Sequence, residues 1–446
     1  MPLSSRTRLL ITSALAFVIG GVIAGAIALI VWPVHEPPAP AVAGALAPTA
    51  AEVAYRFEVQ KVDPRAELDS TISALEARLN RTQGLELAEL SDVYFRRAQL
   101  TGDKQDYDRS GELAQQSLAI LPTPNSAALT LAKLANAKHE FHEALKIAYE
   151  YKKRSVVVPT VRATAFLALG DLTSAAAEAN RAIAIKPDTN TFLMRALVLI
   201  AQGRDREAAM DFRAAARAED HGDQQGAARL RTLWGRFLLR RGERTAAGML
   251  FDEALRIAPD FTLAQALRGE LLLRSGQARE AARTFEQAFA ASRQVRYLID
   301  QARALEVDGD LTNAEAIRKQ VEGIVRAELA EGGFGHRLDL VEVLVDRGNT
   351  VGLTEAINLA REEVRQRPSA ESRFQLARAY ARTGATEQAY LEMQGTLAQG
   401  AHEAKFYELA SRLENSRNDL GRAELYRRLA DEMDPGASGW RTQGMP

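Results

Sequence analysis

Along most of this chain apolar residues recur at i, i+4 and i+7, in two successive faces split by one turn residue. Arg229 to Pro259 shows the pattern most clearly. Trp234, Gly235 and Leu238 share one helical face. Gly242 interrupts it, because glycine enters the left-handed region without a Cβ clash. Ala247, Phe251 and Ala254 mark a second face, and Pro259 ends that helix. The spacing predicts a helical hairpin.

The hairpin is repeated. Gly269, Leu272, Gly276, Ala281, Phe285 and Ala288 reproduce Gly235, Leu238, Gly242, Ala247, Phe251 and Ala254 at a constant offset of 34 positions. An offset kept through six positions marks one copied and stacked unit. Related pairs of faces run from Leu85 to Pro435, among them Leu90 with Ala114, Leu199 with Phe212, and Leu376 with Ala389. Two insertions are expected, a turn over Thr101 to Asp108 and a loop over residues 221–226. The helix beginning at Leu311 reads as overlong and ends at a joint near Gly332 to Gly335.

Unit length, the small residue ahead of the Leu and the Ala-x3-Phe-x2-Ala ending together resemble the tetratricopeptide repeat. Arg231 stands where that family usually has Trp, and Trp234 occupies the neighbouring Leu slot. The resemblance implies an all-α fold, a right-handed superhelical solenoid of about ten helix-turn-helix repeats over residues 85–435. It also implies a role in binding other proteins or extended peptides.

Outside the repeats the pattern changes. Leu9 to Trp32 carries no charge and, at 1.5 Å per residue, spans about 36 Å as a helix, enough for one transmembrane crossing. Arg6 and Arg8 precede it and no Lys or Arg follows until Arg56, which places residues 1–8 in the cytoplasm and the rest beyond the membrane. A cleaved signal peptide ending near Ala47 is the rival reading. Gly21 and Gly25 form a G-x-x-x-G that would let two such helices pack and self-associate, although Gly and Ala are common in such spans. Residues 33–62 read as a Pro- and Ala-rich linker and juxtamembrane segment. Within it Val53 to Gln60 alternates like a strand that would need a partner's sheet edge; coil or a helical turn packed on the solenoid fits the same letters. Asp63 and Pro64 look like an N-cap and first helical residue, opening a capping helix over residues 63–84. Residues 436–446 read as a flexible tail onto which Trp440 folds back.

Composition agrees with close-packed helices: apolar residues make up 46% of the chain and aromatics 6%, so the apolar content is mostly Ala and Leu. A net charge of −1 gives no electrostatic case for nucleic acid. With no Cys there are no disulfides, thiolate zinc sites or Cys nucleophiles. Ala- and Arg-rich composition and the topology look like a single-pass protein of the bacterial inner membrane with its repeats in the periplasm.

The family's concave face, carried over by position, is uneven. Thr160, Thr164, Leu167, Leu193, Leu197 and Ile200 make it mostly apolar in the third and fourth repeats. Arg236, Arg240, Glu270, Arg274, Arg378 and Arg382 make it charged in the fifth, sixth and ninth. An apolar stretch followed by Arg suits a peptide groove, with Arg gripping carboxylates. The family's carboxylate clamp is not reproduced beyond Lys133 and Asn136. No catalytic constellation, metal site or cofactor loop is expected. His139 and His142 are three apart, unlike the H-E-x-x-H of zinc peptidases. The acid pair Glu362 and Glu363 reads as surface. The chain is therefore expected to be no enzyme but an assembly scaffold of an envelope complex; a periplasmic chaperone for unfolded or secreted chains, resembling the repeat proteins of cytochrome c biogenesis, is the alternative.

Overall fold

A computed structural model describes residues 46–61, 63–79, 84–122, 124–331 and 336–434, all within one compact unit. The expected span 9–32 with Gly21 and Gly25, the linker up to residue 45, the joint at Gly332 to Gly335 and the tail with Trp440 lie outside the described residues. Among the described residues no helix is long and apolar enough to cross a membrane, and there is no strand.

A single turn, α1 (Ala50–Val53), precedes the capping helix α2 (Pro64–Arg78). Asp63 caps α2 by accepting from the Arg65 and Ala66 amides, with Pro64 at the first helical position, where a missing N–H costs nothing. Ten hairpins follow: α3 (Gly84–Thr101) with α4 (Lys104–Ile120), α5 (Ser126–Ala137) with α6 (Phe141–Glu150), α7 (Val157–Leu169) with α8 (Leu172–Ile185), α9 (Thr189–Ala201) with α10 (Asp205–Arg217), and α11 (Gln224–Leu239) with α12 (Arg244–Ile257). The second half holds α13 (Thr262–Arg274) with α14 (Ala278–Ser292), α15 (Val295–Val307) with α16 (Leu311–Ala330), α17 (Arg337–Arg347) with α18 (Thr350–Gln366), α19 (Ala370–Arg382) with α20 (Thr386–Leu397), and α21 (Ala404–Ser416) with α22 (Leu420–Met433). The insertion expected at Thr101 to Asp108 is only a two-residue turn, because Asp103 caps α4 at once by accepting from the Gln105 amide.

Small residues in the repeat act as sockets for large ones. A Cβ on Gly235 would come within 2.5 Å of the Phe251 ring, so only glycine lets Phe251 lie flat on α11. In the next repeat Gly269 receives Phe285, whose ring a Cβ there would meet at 3.1 Å. Phe212 stacks on Trp234 at 5.6 Å between centroids, joining the fourth repeat to the fifth, and both rings are fully buried.

Two features depart from a plain array. The stretch expected as linker is, from Leu46 on, a strap fastened across the fourth and fifth repeats. Leu46 and Val53 are buried in the Trp234 cluster, and Tyr55, Phe57 and Val59 pack on Ala227, Ala254, Ile257 and Ala258. The alternation in Val53 to Gln60 thus has a helical surface as its partner and no strand. Arg231 explains its departure from the family pattern here. It is 1% exposed, paired with buried Glu219, and donates to the Val53 carbonyl at 2.7 Å.

Second, the superhelix closes on itself. The turns inside the first six repeats meet the chain's second half in sequence order. Gly102 abuts Ser292, and Lys104 pairs with Glu331. Phe141 of the second repeat lies under Arg367. Gly170 abuts Pro368, and Gly203 abuts Gly400 and His402. Gly203 has φ +70 and a Cβ there would sit 2.7 Å from the Gly400 carbonyl, so this crossing needs glycine on both counts. Arg240 of the fifth repeat pairs with Glu403 at 2.5 Å. Arg274 of the sixth pairs with Asp434 at the end of α22.

Candidate functional site

Closure leaves a lumen of about 690 Å³, walled mainly by the first helices of the fifth to tenth repeats. Eight cations line it (Arg236, Arg240, Arg274, Arg296, Arg303, Arg367, Arg378 and Lys405), and so do eight carboxylates (Glu270, Asp300, Glu306, Asp339, Glu342, Asp346, Glu371 and Glu403). Leu263, Ala266 and Leu267 of α13 supply an apolar wall. Their spacing puts Leu263, Leu267, Glu270 and Arg274 on one face of that helix, at i, i+4, i+7 and i+11.

Nearly every charge is matched at short range. Glu342 accepts from Arg296 at 2.7 Å and Arg303 at 2.5 Å, and the fields of Arg296, Arg303 and Arg378 overcome burial to hold its carboxyl well below the usual range. Arg378 reaches Asp346 at 2.6 Å, and Lys405 reaches Glu371 at 2.6 Å. Burial raises Glu403, but Arg240, Lys405, Arg241 and Arg236 override it and hold the carboxyl at about 2. Asp339 goes the other way. Burial outweighs Arg296, 3.9 Å off, and His336, and pushes it up to about 6.

The expected groove residues split into two groups. Arg236, Arg240, Glu270, Arg274 and Arg378 do converge on the lumen. Arg274 is 4% exposed and lies between Glu270 and Asp434, and Arg244 also reaches Asp434 at 3.3 Å. Arg240, Arg274 and Arg378 therefore grip carboxylates of their own chain. Arg382 packs against Gly348, outside the lumen lining. Thr164, Leu167, Leu197 and Ile200 are half-buried and also outside it. Thr164 donates to the Thr160 carbonyl at 3.0 Å, Leu167 packs in the cluster of Ala163, Ala175 and Met194, and Ile200 packs on the Trp234 cluster.

Other singled-out residues have structural partners. Lys133 pairs with Asp92 at 2.8 Å, and Asn136 donates to the Val161 carbonyl at 3.0 Å. His139 stacks on Phe141; crowding by the surrounding protein, with Arg367 and His336, lowers it, although its side chain still reaches solvent. Glu363, expected at the surface, is 5% exposed and held by Arg337 and Arg367, because α17 packs over it. Apart from Glu270, the acidic half of the lumen was missed from sequence, although Arg296, Asp300 and Arg303 share a helical face as plainly as Arg236 and Arg240 do.

No family model matches this chain, and no curated protein matches it. Among solved structures it is similar to a tetratricopeptide repeat protein from Parabacteroides merdae, 15% identical over 52% of this chain and 92% of that one, with a TM-score of 0.38. It is also similar to the human IFIT1 dimer with PPP-AAAA, 12% identical over 84% of this chain and 95% of that one, with a TM-score of 0.45. Likeness of that size carries no argument about ligand or partner. The chain's own succession of hairpins, with the fifth and sixth offset by 34 residues and each seating the Phe of its second helix on a glycine of its first, makes its fold that of the tetratricopeptide repeat proteins.

Proposed function

We propose that this chain is a non-enzymatic scaffold for protein–protein interaction, held in a bacterial inner membrane by Leu9 to Trp32 with its repeats in the periplasm. The observation that carries the reading is the strap. The surface of the fourth and fifth repeats holds an irregular stretch of polypeptide by its backbone as well as its side chains. Glu253 accepts from the Tyr55 amide at 2.7 Å, Arg213 donates to the Ala47 carbonyl at 2.9 Å, and Gln224 bonds both the amide and the carbonyl of Gln60. Main-chain recognition of this kind is how a repeat surface holds another protein's segment.

The strap also shortens the tether. Residues 33–45 alone lie between the proposed span and docked Leu46 in the sequence. A short tether on a rigid array suits docking at a set height above a membrane.

Crosslinking in intact cells, extraction of membranes and mass spectrometry of what is retained test the reading. A short stoichiometric set of envelope proteins is expected. A long substoichiometric set of unfolded or secreted chains would replace the scaffold with a chaperone, and recovery of the protein from the soluble fraction would remove the anchor.

A further inference from the structure

We propose that the lumen is a binding site for a small amphiphilic carboxylic acid, its carboxylate held by Arg236 and Arg240 and its apolar body lying on Leu263 and Leu267. This rests on the lumen alone and stands whether or not the scaffold reading does.

The first ground is one lumen cation without a direct partner. Seven of the eight lumen cations are in ion pairs, and so is each of the eight carboxylates. Arg236 is the remaining cation; among the described residues its guanidinium has neither a hydrogen bond nor an ion pair. Glu403 and Glu270 stand near it but are committed to Arg240 and Arg274. Enclosure by protein and the neighbouring Arg240 lower Arg236 to about 10, which still leaves it charged at neutral pH. Arg236 is half-buried, and an enclosed charge without a direct partner is costly, so a bound anion is its natural complement.

Geometry narrows the anion. Arg236 and Arg240 are one helical turn apart on the same face, and guanidinium forks match the two oxygens of a carboxylate. Arg240 leaves 38% of its side chain open beyond its bond to Glu403, so it has donors to spare. Only one guanidinium lacks a direct partner, in a lining with as many carboxylates as cations, which favours a monoanion over a phosphate ester or polyanion. Leu263 and Leu267 line the same lumen, on the face of α13 that carries Glu270 and Arg274, the 34-residue counterparts of Arg236 and Arg240, so the complementary ligand has an apolar or aromatic body behind its carboxylate. At about 690 Å³ the space suits a small molecule.

Isothermal titration of the full-length chain with 3-phenylpropanoate, its neutral amide and acetate tests this. We expect one saturable site for the acid, at least tenfold weaker binding of the amide and of acetate, and at least a tenfold loss in Arg236→Gln at a melting temperature no lower than the parent's. Leu263→Trp, which fills the apolar end, should weaken phenylpropanoate and spare acetate. Equal binding of acid and amide, undiminished affinity in Arg236→Gln, or no saturable site for either carboxylate would overturn the proposal. If Arg236→Gln does not fold, the acid–amide comparison on the unaltered chain and the Arg236→Lys variant decide it. Displacement of phenylpropanoate by chloride at equal concentration would also overturn it, leaving an inorganic anion site.

Discussion

Arg274 and Asp434 lie 160 residues apart and form an ion pair in which Arg274 is 4% exposed and Asp434 is fully buried. Arg244 joins them at 3.3 Å. The last helix of the array is thereby tied to its middle. Removing Asp434 leaves Arg274 its pair with Glu270, so the cost should fall below the roughly 3–5 kcal/mol of a buried charge stranded outright. Asp434→Ala should therefore lower the melting temperature and, by freeing the tenth repeat, increase the radius of gyration in small-angle scattering. A melting temperature and radius equal to those of the parent would mean that the pair does not hold the closure.

Acid should loosen the same closure. Glu403 is held at about 2 against an ordinary value of 4.5, so its stabilising effect is full above pH 4.5 and is lost as pH falls toward 2. Glu403→Gln should flatten the melting profile in that window. Asp339 is raised to about 6 from 3.8, so the stability it lends is present below pH 3.8 and lost as pH rises through 6. Asp339→Asn, which keeps the neutral form at every pH, should stabilise the chain at pH 7 by about 1–3 kcal/mol, since one pKa unit corresponds to about 1.4 kcal/mol. Thermal unfolding from pH 3 to pH 8 reads both.

The glycine sockets make a graded prediction. Gly235→Ala puts a methyl within 2.5 Å of the Phe251 ring, deep in the core, and overpacking there should cost about 1–3 kcal/mol. Gly269→Ala meets Phe285 at 3.1 Å and should cost less. Gly276 has φ +80 with nothing within 4 Å, so Gly276→Ala isolates backbone strain, about 1 kcal/mol, from crowding. Chemical denaturation should rank them in that order, Gly235 first.

Strap docking can be read by proteolysis. Tyr55 is 7% exposed, stacks edge-on with Phe57 at 5.5 Å and lies beneath Arg231. Tyr55→Ala should release residues 46–60 for cleavage while the repeats stay resistant, because the loss stops growing once the strap has undocked. Glu219→Gln should act more broadly, since it leaves the buried Arg231 charge without its carboxylate. Equal cleavage of the strap in the parent and Tyr55→Ala would mean that it is not held.

Local physics made the hairpins readable. Apolar faces at helical spacing, Gly242 and Gly276 at turns and Pro64 after Asp63 each act within a few residues, so helices, turns and repeat length follow from neighbours in the chain. Phe251 and Gly235 are still close in sequence, and their packing is carried by the repeat itself. By itself, then, the sequence determined the solenoid, its repeat and the convergence of Arg236, Arg240, Glu270, Arg274 and Arg378 on one inner face. Only the tertiary structure decided what those arginines touch. Glu403 and Asp434 reach them because small per-repeat rotations accumulate until the array meets itself, and periodicity does not encode that sum. The strap is the same case: Val53 to Gln60 showed its alternation, but the surface that satisfies it was assembled from repeats more than 160 residues further on.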